Sequence, residues 1–305
     1  MSLRLSAVVP ATNAPPTLER CLGAIRAAEA PPEEVVVVRE PAVAGPAEAR
    51  NLGAAAATGD VLVFVDADVV VHPDACRRIR AAFEADAGLT AVFGSYDDAP
   101  PALGVVSGFR NLLHHHVHQS SPGPATTFWA GLGAVRRDAF LAAGGFDAAR
   151  YPHASVEDVE LGMRLAEGGA RIELDPELLG MHLKGWGLVE MVRTDFARRG
   201  VPWAALLLEG RGSPTALNLG WRHRVSALAA VGLAAALVAR RPRAAALALA
   251  ALVAVNGSFY ALLARRRGRA ETVAGVGLHA LHHLVSASAA GAALVRRARR
   301  EKRAG

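Results

Sequence analysis

Lysine is nearly absent from this chain: Lys184 and Lys302 are the only two among 34 basic residues, and arginine supplies the rest. There are two cysteines, Cys21 and Cys76, with no metal-ligand spacing between them, which excludes a zinc ribbon and a disulfide framework. They read as buried free thiols in a reducing compartment. Aromatic residues make up only 5%, so Ala, Val and Leu carry the apolar content. No nucleic-acid-binding motif accompanies the positive charge, and no nucleic acid partner is expected. No signal peptide is expected at the N-terminus, because the apolar stretch Leu3 to Val9 is short and runs into Pro10. The first domain is therefore expected to stay in the cytosol. No internal repeat is present.

What the chain does have is apolar bulk and clustered arginine. Over 305 residues it is 52% hydrophobic and 20% charged, with a mean hydropathy of +0.23. That is too apolar for an ordinary soluble enzyme and too charged for one continuous membrane bundle, so a soluble part joined to a membrane part fits best. The formal net charge is +6 and the isoelectric point about 10.1. Heavy Arg and Ala use is also what a GC-rich genome produces. Much of the charge falls late, at Arg240-Arg241-Pro242-Arg243, at Arg265 to Arg269 and from Arg296 to Arg303. Basic clusters beside apolar runs suit an anionic membrane surface.

Along the first half, short unbroken apolar runs alternate with helical spacing. Leu5 to Val9, Val35 to Val38, Val61 to Val65 and Ala91 to Gly94 are predicted strands; Thr17 to Ala30, Ala47 to Ala57 and Pro73 to Ala85 are predicted helices. This alternation indicates a parallel sheet with helices on both faces, binding ligands at the carboxyl ends of its strands. The segment Ala99 to Phe128 reads as irregular, Trp129 to Arg136 as a further strand and Ser155 to Glu167 as a helix. Val189 to Leu208 is amphipathic and suits either a membrane interface or a packed surface.

Asp66 and Asp68 follow the buried strand Val61 to Val65. Two carboxylates at i and i+2, where a chain leaves a sheet, can reach a hard cation bridging a diphosphate, and Mg²⁺ or Mn²⁺ prefers such oxygen ligands. A lone pair of this kind is common; its setting in Gly59 to Asp68 makes it much more specific. The loop Ala11 to Pro16 has neither glycine nor base, which counts against a nucleotidyltransferase gripping a triphosphate.

At these residues the chain resembles glycosyltransferase family 2, with the GT-A fold. The resemblance is carried by Val8 to Asn13, Ala49-Arg50-Asn51-Leu52-Gly53, Gly59-Asp60 through Asp68, Gly144-Gly145-Phe146-Asp147 and Glu157-Asp158, and it covers about residues 3–210. It implies an α/β, Rossmann-like nucleotide-diphospho-sugar transferase domain. It further implies that Pro10, Thr12 and Asn13 line the nucleotide, that Arg50 helps hold it, that Asp66 contacts the nucleoside or the metal shell, and that Asp68 coordinates Mg²⁺ or Mn²⁺. Where the family has an acidic pair after the second strand this chain has Arg39-Glu40, which leaves Glu40 for the base or ribose and leaves the nucleotide open. Glu157-Asp158 matches the catalytic carboxylate position, with Asp158 as the base. The same residues also fit a capping box over Ser155 to Asp158. His182 is a candidate to complete the metal shell or a packed histidine, and Lys184 a candidate to offset diphosphate charge. Trp186 reads more readily as packed than as a stacking residue. His114-His115-His116 with His118 invite a metal reading, although adjacent side chains rarely converge on one ion. The Q-x-x-R-W motif of processive members is missing.

The chain is accordingly divided into a catalytic domain, residues 1–210 with the amphipathic helix near 189–208, and a C-terminal membrane region, 211–305. That region would hold helices near 225–239, 244–264 and 272–295, of which 244–264 is the clearest span by length. His279, His282 and His283 share a helical face there and would meet either a lipid headgroup or a helical bundle. The expectation is an inverting, metal-dependent glycosyltransferase taking a nucleotide sugar to a lipid-linked acceptor at the cytoplasmic face of a bacterial inner membrane. The alternative is a catalytically degenerate member acting as a membrane scaffold or partner subunit.

Overall fold

The computed structural model describes residues 3–213 and 216–304. They form two compact units. The first comprises the residues up to Pro101 together with His118–Lys184; the second comprises Ala102–Val117 and the chain from Gly185 onward. The units divide at Lys184 rather than at residue 210, because the amphipathic segment packs with the C-terminal helices.

The first unit is built on an eight-stranded sheet. In chain order it contains β1 (Leu5–Pro10), α1 (Leu18–Ala27), β2 (Glu34–Val38), α2 (Pro46–Ala56), β3 (Val61–Val65), β4 (Val69–Val71), α3 (Ala75–Ala85) and β5 (Leu89–Tyr96). After α4 (Val105–Gln119) come β6 (Gly123–Ala125), β7 (Leu132–Arg136), α5 (Arg137–Ala142), α6 (Glu157–Glu167) and β8 (Arg171–His182). The order across the sheet is β2-β1-β3-β7-β5-β8-β4, with β6 beside β8. The strands β1, β2 and β3 are parallel, as the sequence predicts. The sheet as a whole is mixed, which corrects the expectation of an all-parallel one: β7 runs antiparallel to both β3 and β5, and β4 antiparallel to β8. Buried strands of either direction carry the same continuous apolar run, so composition could not give the direction of β7.

The two faces follow the period-two alternation of β-strands. Leu5, Ala7, Val9, Val61, Val63 and Val65 face α1 and α3, meeting Leu18, Cys21, Leu22, Ile25, Ile79 and Phe83. On the other face Phe64 is met edge-on or tilted by Phe128, Phe140 and Phe146, at ring separations of 6.5, 5.3 and 5.2 Å.

The second unit is helical. The segment expected to be irregular instead contains the 15-residue α4, whose Phe109, Leu112 and Leu113 pack with Met191, Phe259, Tyr260, Leu262 and Leu263. Their spacing is helical, but histidine, proline and serine around it hid the pattern. The amphipathic segment forms α7 (Leu188–Arg193), a π-helical stretch Thr194–Gly200 and α8 (Val201–Leu208). Then follow α9 (Trp221–Val238), α10 (Pro242–Val255) and α11 (Gly257–Ala304), the last broken at Gly268, where φ is 82°. The apolar run 244–264 is thus not one helix: it breaks at Asn256, whose Nδ2 donates to the Leu252 carbonyl and to Ser226 Oγ, both at 2.8 Å. The run 272–295, the weaker candidate by sequence, lies within continuous helix. Among the described residues one helical stretch, Gly257–Lys302 with its kink at Gly268, is long and apolar enough to cross a membrane by length and composition, with Pro242–Val255 a shorter apolar helix.

A buried carboxylate ties this unit together. Asp195 Oδ1 forms an ion pair with Arg110 Nη2 at 2.7 Å, and Asp195 Oδ2 lies 2.8 Å from His282 Nδ1. Burial opposes the charge on Asp195, but Arg110 and then His282 outweigh it and hold the carboxyl at about 2. His279 takes part in the packing rather than in a ligand set, with Nδ1 2.9 Å from the Tyr260 hydroxyl and Nε2 3.1 Å from His283 Nε2.

Candidate active site

The three parallel strands end on one edge of the sheet, with Pro10 level with Val38 and Val8 level with Phe64. Pro10, Thr12 and Asn13 therefore leave β1 beside Glu40 after β2 and Asp66 after β3, at the carboxyl ends of the parallel strands. Thr12 Oγ1 donates to the Ala44 carbonyl at 2.8 Å, joining the loops that follow β1 and β2. Glu40 is exposed and accepts the Ala42 amide at 3.1 Å. The turn bearing the acidic pair is held from α1: Thr17 Oγ1 donates to the Ala67 carbonyl at 2.8 Å, and the Cys21 thiol lies 3.5 Å from the Asp66 carbonyl. Burial, then the Asp66 and Asp68 charges, push the Cys21 thiol up to about 12.

The two aspartates then part. Asp66 Oδ1 accepts from Arg50 Nη2 at 2.6 Å, and Arg50 Nη1 donates to Glu157 Oε1 at 2.9 Å. Arg50 is 5% exposed. Expected to hold the nucleotide, it is instead enclosed between two carboxylates and ties the end of β3 to the start of α6. Glu157, expected beside Asp158 in catalysis, spends its second oxygen on the Ser155 amide at 2.8 Å and is 4% exposed. Its geometry is that of a support. Burial dominates at Asp66 and raises its carboxyl, with Arg50 pulling it back.

Asp68 turns the other way. Its Oδ2 is 3.5 Å from His182 Nε2, and its carbonyl accepts the Leu183 amide at 2.8 Å. The pairing of Val69 with His182 in the β4–β8 ladder creates this proximity. Burial would raise the Asp68 carboxyl, but the His182 ring and the Lys184 charge more than offset it and leave it below its ordinary value. Among the described residues no group of three or more His, Cys, Asp and Glu could hold a metal ion. Asp66, Asp68 and His182 thus do not form one protein ligand set, because Arg50 draws the Asp66 carboxylate away. Asp68 and His182 alone still fit a divalent cation: neighbouring donors of an octahedral ion lie about 3 Å apart, and such ions complete their shell with substrate phosphate and water.

Asp158 lies at the start of α6. Its Oδ2 accepts the Ala130 amide at 3.2 Å and its Oδ1 the Val159 amide at 2.8 Å. Burial and the neighbouring Glu157 push its carboxyl up to about 6, against the pull of Arg50. The capping-box reading of Ser155 to Asp158 does not hold: Val156 is the N-cap and no side chain caps the helix.

Most of the remaining motif residues are scaffold for these groups. Asn51 and Phe146 exchange hydrogen bonds at 2.8 and 2.9 Å, fastening α2 to the loop before α6. Gly145 sits beside that pair with φ of 69°, where a Cβ would meet Asn51 Oδ1 at 2.6 Å. Gly162 lets α6 lie directly on the backbone of Thr127 and Phe128, which sets the Asp158–Ala130 contact. The four histidines of α4 disperse: His118 Nδ1 is 2.8 Å from the Gly94 carbonyl, while the His116 ring lies 5.4 Å from Phe259. Trp186 packs under Arg110, 5.3 Å away. Sequence reasoning missed Tyr96, whose ring stacks on His182; no local pattern links residues 96 and 182.

The α/β domain places an acidic pair at the carboxyl ends of its parallel strands. The Glycosyl transferase family 2 model matches residues 34–142 of the chain. The chain is 30% identical over 161 residues to the pre-mycofactocin glycosyltransferases of two strains of Mycobacterium tuberculosis, a match covering 49% of this chain and 32% of each relative. The chain thus spans about a third of the length of the curated relatives it matches. In fold it is similar to a mannosyltransferase from Pyrobaculum calidifontis solved in complex with GDP-Man and Mn²⁺. That match has a TM-score of 0.54 and 18% identity, covering 95% of this chain and 87% of that one, and it establishes the GT-A fold.

Proposed function

We propose that this protein is an inverting glycosyltransferase that moves a sugar from a nucleotide-sugar donor to a lipid-linked acceptor, and that it depends on Mg²⁺ or Mn²⁺. The observation that carries this reading is the pairing of Asp68 with His182 at the end of the crevice while Arg50 joins Asp66 to the helix that presents Asp158. A crevice for the donor, a cation pair and a basic carboxylate then belong to one edge of one sheet.

In this reading Pro10, Thr12, Asn13 and Glu40 border the nucleotide. Asp68 and His182 would hold a divalent cation, which would supply positive charge to the donor diphosphate. Lys184 adds to that charge from the end of β8. Asp158, held by the Ala130 amide, takes the proton from an acceptor hydroxyl as its oxygen bonds to the anomeric carbon. The bond from that carbon to the diphosphate breaks, and a nucleoside diphosphate departs from the opposite face. One displacement inverts the configuration. A phosphate acceptor is already ionised and needs no base; Asp158 then orients it.

The helical second unit supports the acceptor class. An apolar helix long enough to span, with arginine clusters flanking apolar runs, suits a catalytic domain held at the cytoplasmic face of a bacterial inner membrane, where tethering raises the effective concentration of a lipid acceptor. The test is transfer by detergent-extracted protein from a panel of nucleotide sugars with Mn²⁺ or Mg²⁺, with and without bacterial lipid extract. Sugar in the lipid fraction, lost in Asp68→Ala, supports the reading and names the donor. Absence of both turnover and metal-dependent donor binding sinks it in favour of a non-catalytic scaffold.

A further inference from the structure

His182 does not hold its orientation alone. Its ring lies on the ring of Tyr96, with centroids 4.1 Å apart and planes within 8°. Tyr96 ends β5 and is 9% exposed. It is placed there by the sheet: Tyr96 pairs with Gly180 across β5 and β8, while β4 pairs Val69 with His182 from the other side of β8. Trp129 meets the Tyr96 ring edge-on at 4.8 Å and 88°. Trp129 is itself backed edge-on by His118 at 5.4 Å, and its indole occupies the space that a side chain at Gly131 would take.

An imidazole coordinates a cation in the plane of its ring, so a ligand histidine needs that plane fixed before the ion arrives. A neighbour stacked at van der Waals distance blocks tilting about the ring bond without covering the ring edge that carries the nitrogens. The coplanar Tyr96 ring does this for His182, leaving Nε2 on the Asp68 side. An aromatic face beneath the imidazole also favours positive charge arriving there.

We propose that Tyr96, braced by Trp129, is a positioning residue for the cation site, setting the plane of His182 so that Nε2 and Asp68 Oδ2 converge on one ion. This rests on the reading of Asp68 and His182 as cation ligands. Groups that orient a metal ligand typically change affinity by about 10- to 100-fold when lost. Here the loss is of packing rather than of a hydrogen bond, so the low end applies.

The experiment is Mn²⁺ binding to the full-length, detergent-extracted chain, read by the loss of the free-ion EPR signal with a nucleoside diphosphate present. Wild-type binding that is abolished in Asp68→Ala establishes the site. Tyr96→Leu is then expected to raise the Mn²⁺ dissociation constant about tenfold, and Tyr96→Phe, which keeps the ring, to stay within about twofold of wild type. Should Tyr96→Leu fail to fold, Trp129→Leu removes the brace behind Tyr96 and is expected to weaken Mn²⁺ about threefold in the same assay. Unchanged affinity in the folded Tyr96→Leu or Trp129→Leu protein overturns the inference while the cation site stands. Equal losses in Tyr96→Phe and Tyr96→Leu also overturn it, since the hydroxyl and not the ring would then matter. No Mn²⁺ binding by the wild type overturns the cation site and the inference together.

Discussion

Replacing Arg50 by methionine removes the one cation between Asp66 and Glu157 and leaves a side chain of similar length in its place. The two carboxylates do not suffer equally. The Asp66 side chain is 30% exposed and can recover water, whereas that of Glu157 is 5% exposed and cannot. Breaking a buried pair costs about 3–5 kcal/mol because a charge is left uncompensated. Glu157 keeps the Ser155 amide on its other oxygen, so the low end, about 3 kcal/mol, is the expected cost. For a unit of this size that lowers the melting temperature by about 6–12 °C. Thermal melts of the detergent-extracted protein would measure it. The double variant Arg50→Met with Glu157→Gln removes the stranded charge as well and should recover at least about half of the loss. A second readout separates site from scaffold: Arg50 pulls the Asp158 carboxyl down toward about 6, so its removal moves the acid limb of the activity profile to higher pH. Melting within about 2 °C of wild type together with an unmoved acid limb would refute the account of Arg50 as a buried tie.

Two further outcomes follow from the geometry. With a hydroxyl acceptor, Asp158 must be ionised to accept a proton; from a value near 6, its ionised fraction rises about tenfold between pH 5 and pH 7. The profile of kcat/KM should therefore climb through that window, whereas a profile flat from pH 5 upward would remove Asp158 as the base. In the helical unit, Asp195→Asn removes the buried carboxylate charge that faces both Arg110 and His282, which should destabilise that unit by about 3 kcal/mol; a melt indistinguishable from wild type would show that the Asp195 node contributes nothing.

The sequence by itself determined the local matters. The β-branched runs Val35 to Val38 and Val61 to Val65 became β2 and β3, the spacing of Leu18, Cys21, Leu22 and Ile25 became the buried face of α1, and the acidic pair fell at a strand end. These depend on periodicity and burial within a dozen residues, which the chain states directly. The tertiary structure alone decided the rest. The direction of β7, the helix hidden in Val105–Gln119, the break of the 244–264 run at Asn256, the enclosure of Arg50 by a carboxylate 107 positions away and the stacking of Tyr96 on His182 all arise from pairings across the sheet or between helices. Whether an arginine faces a ligand or a carboxylate is settled by which elements the fold brings beside it, and no local pattern records that.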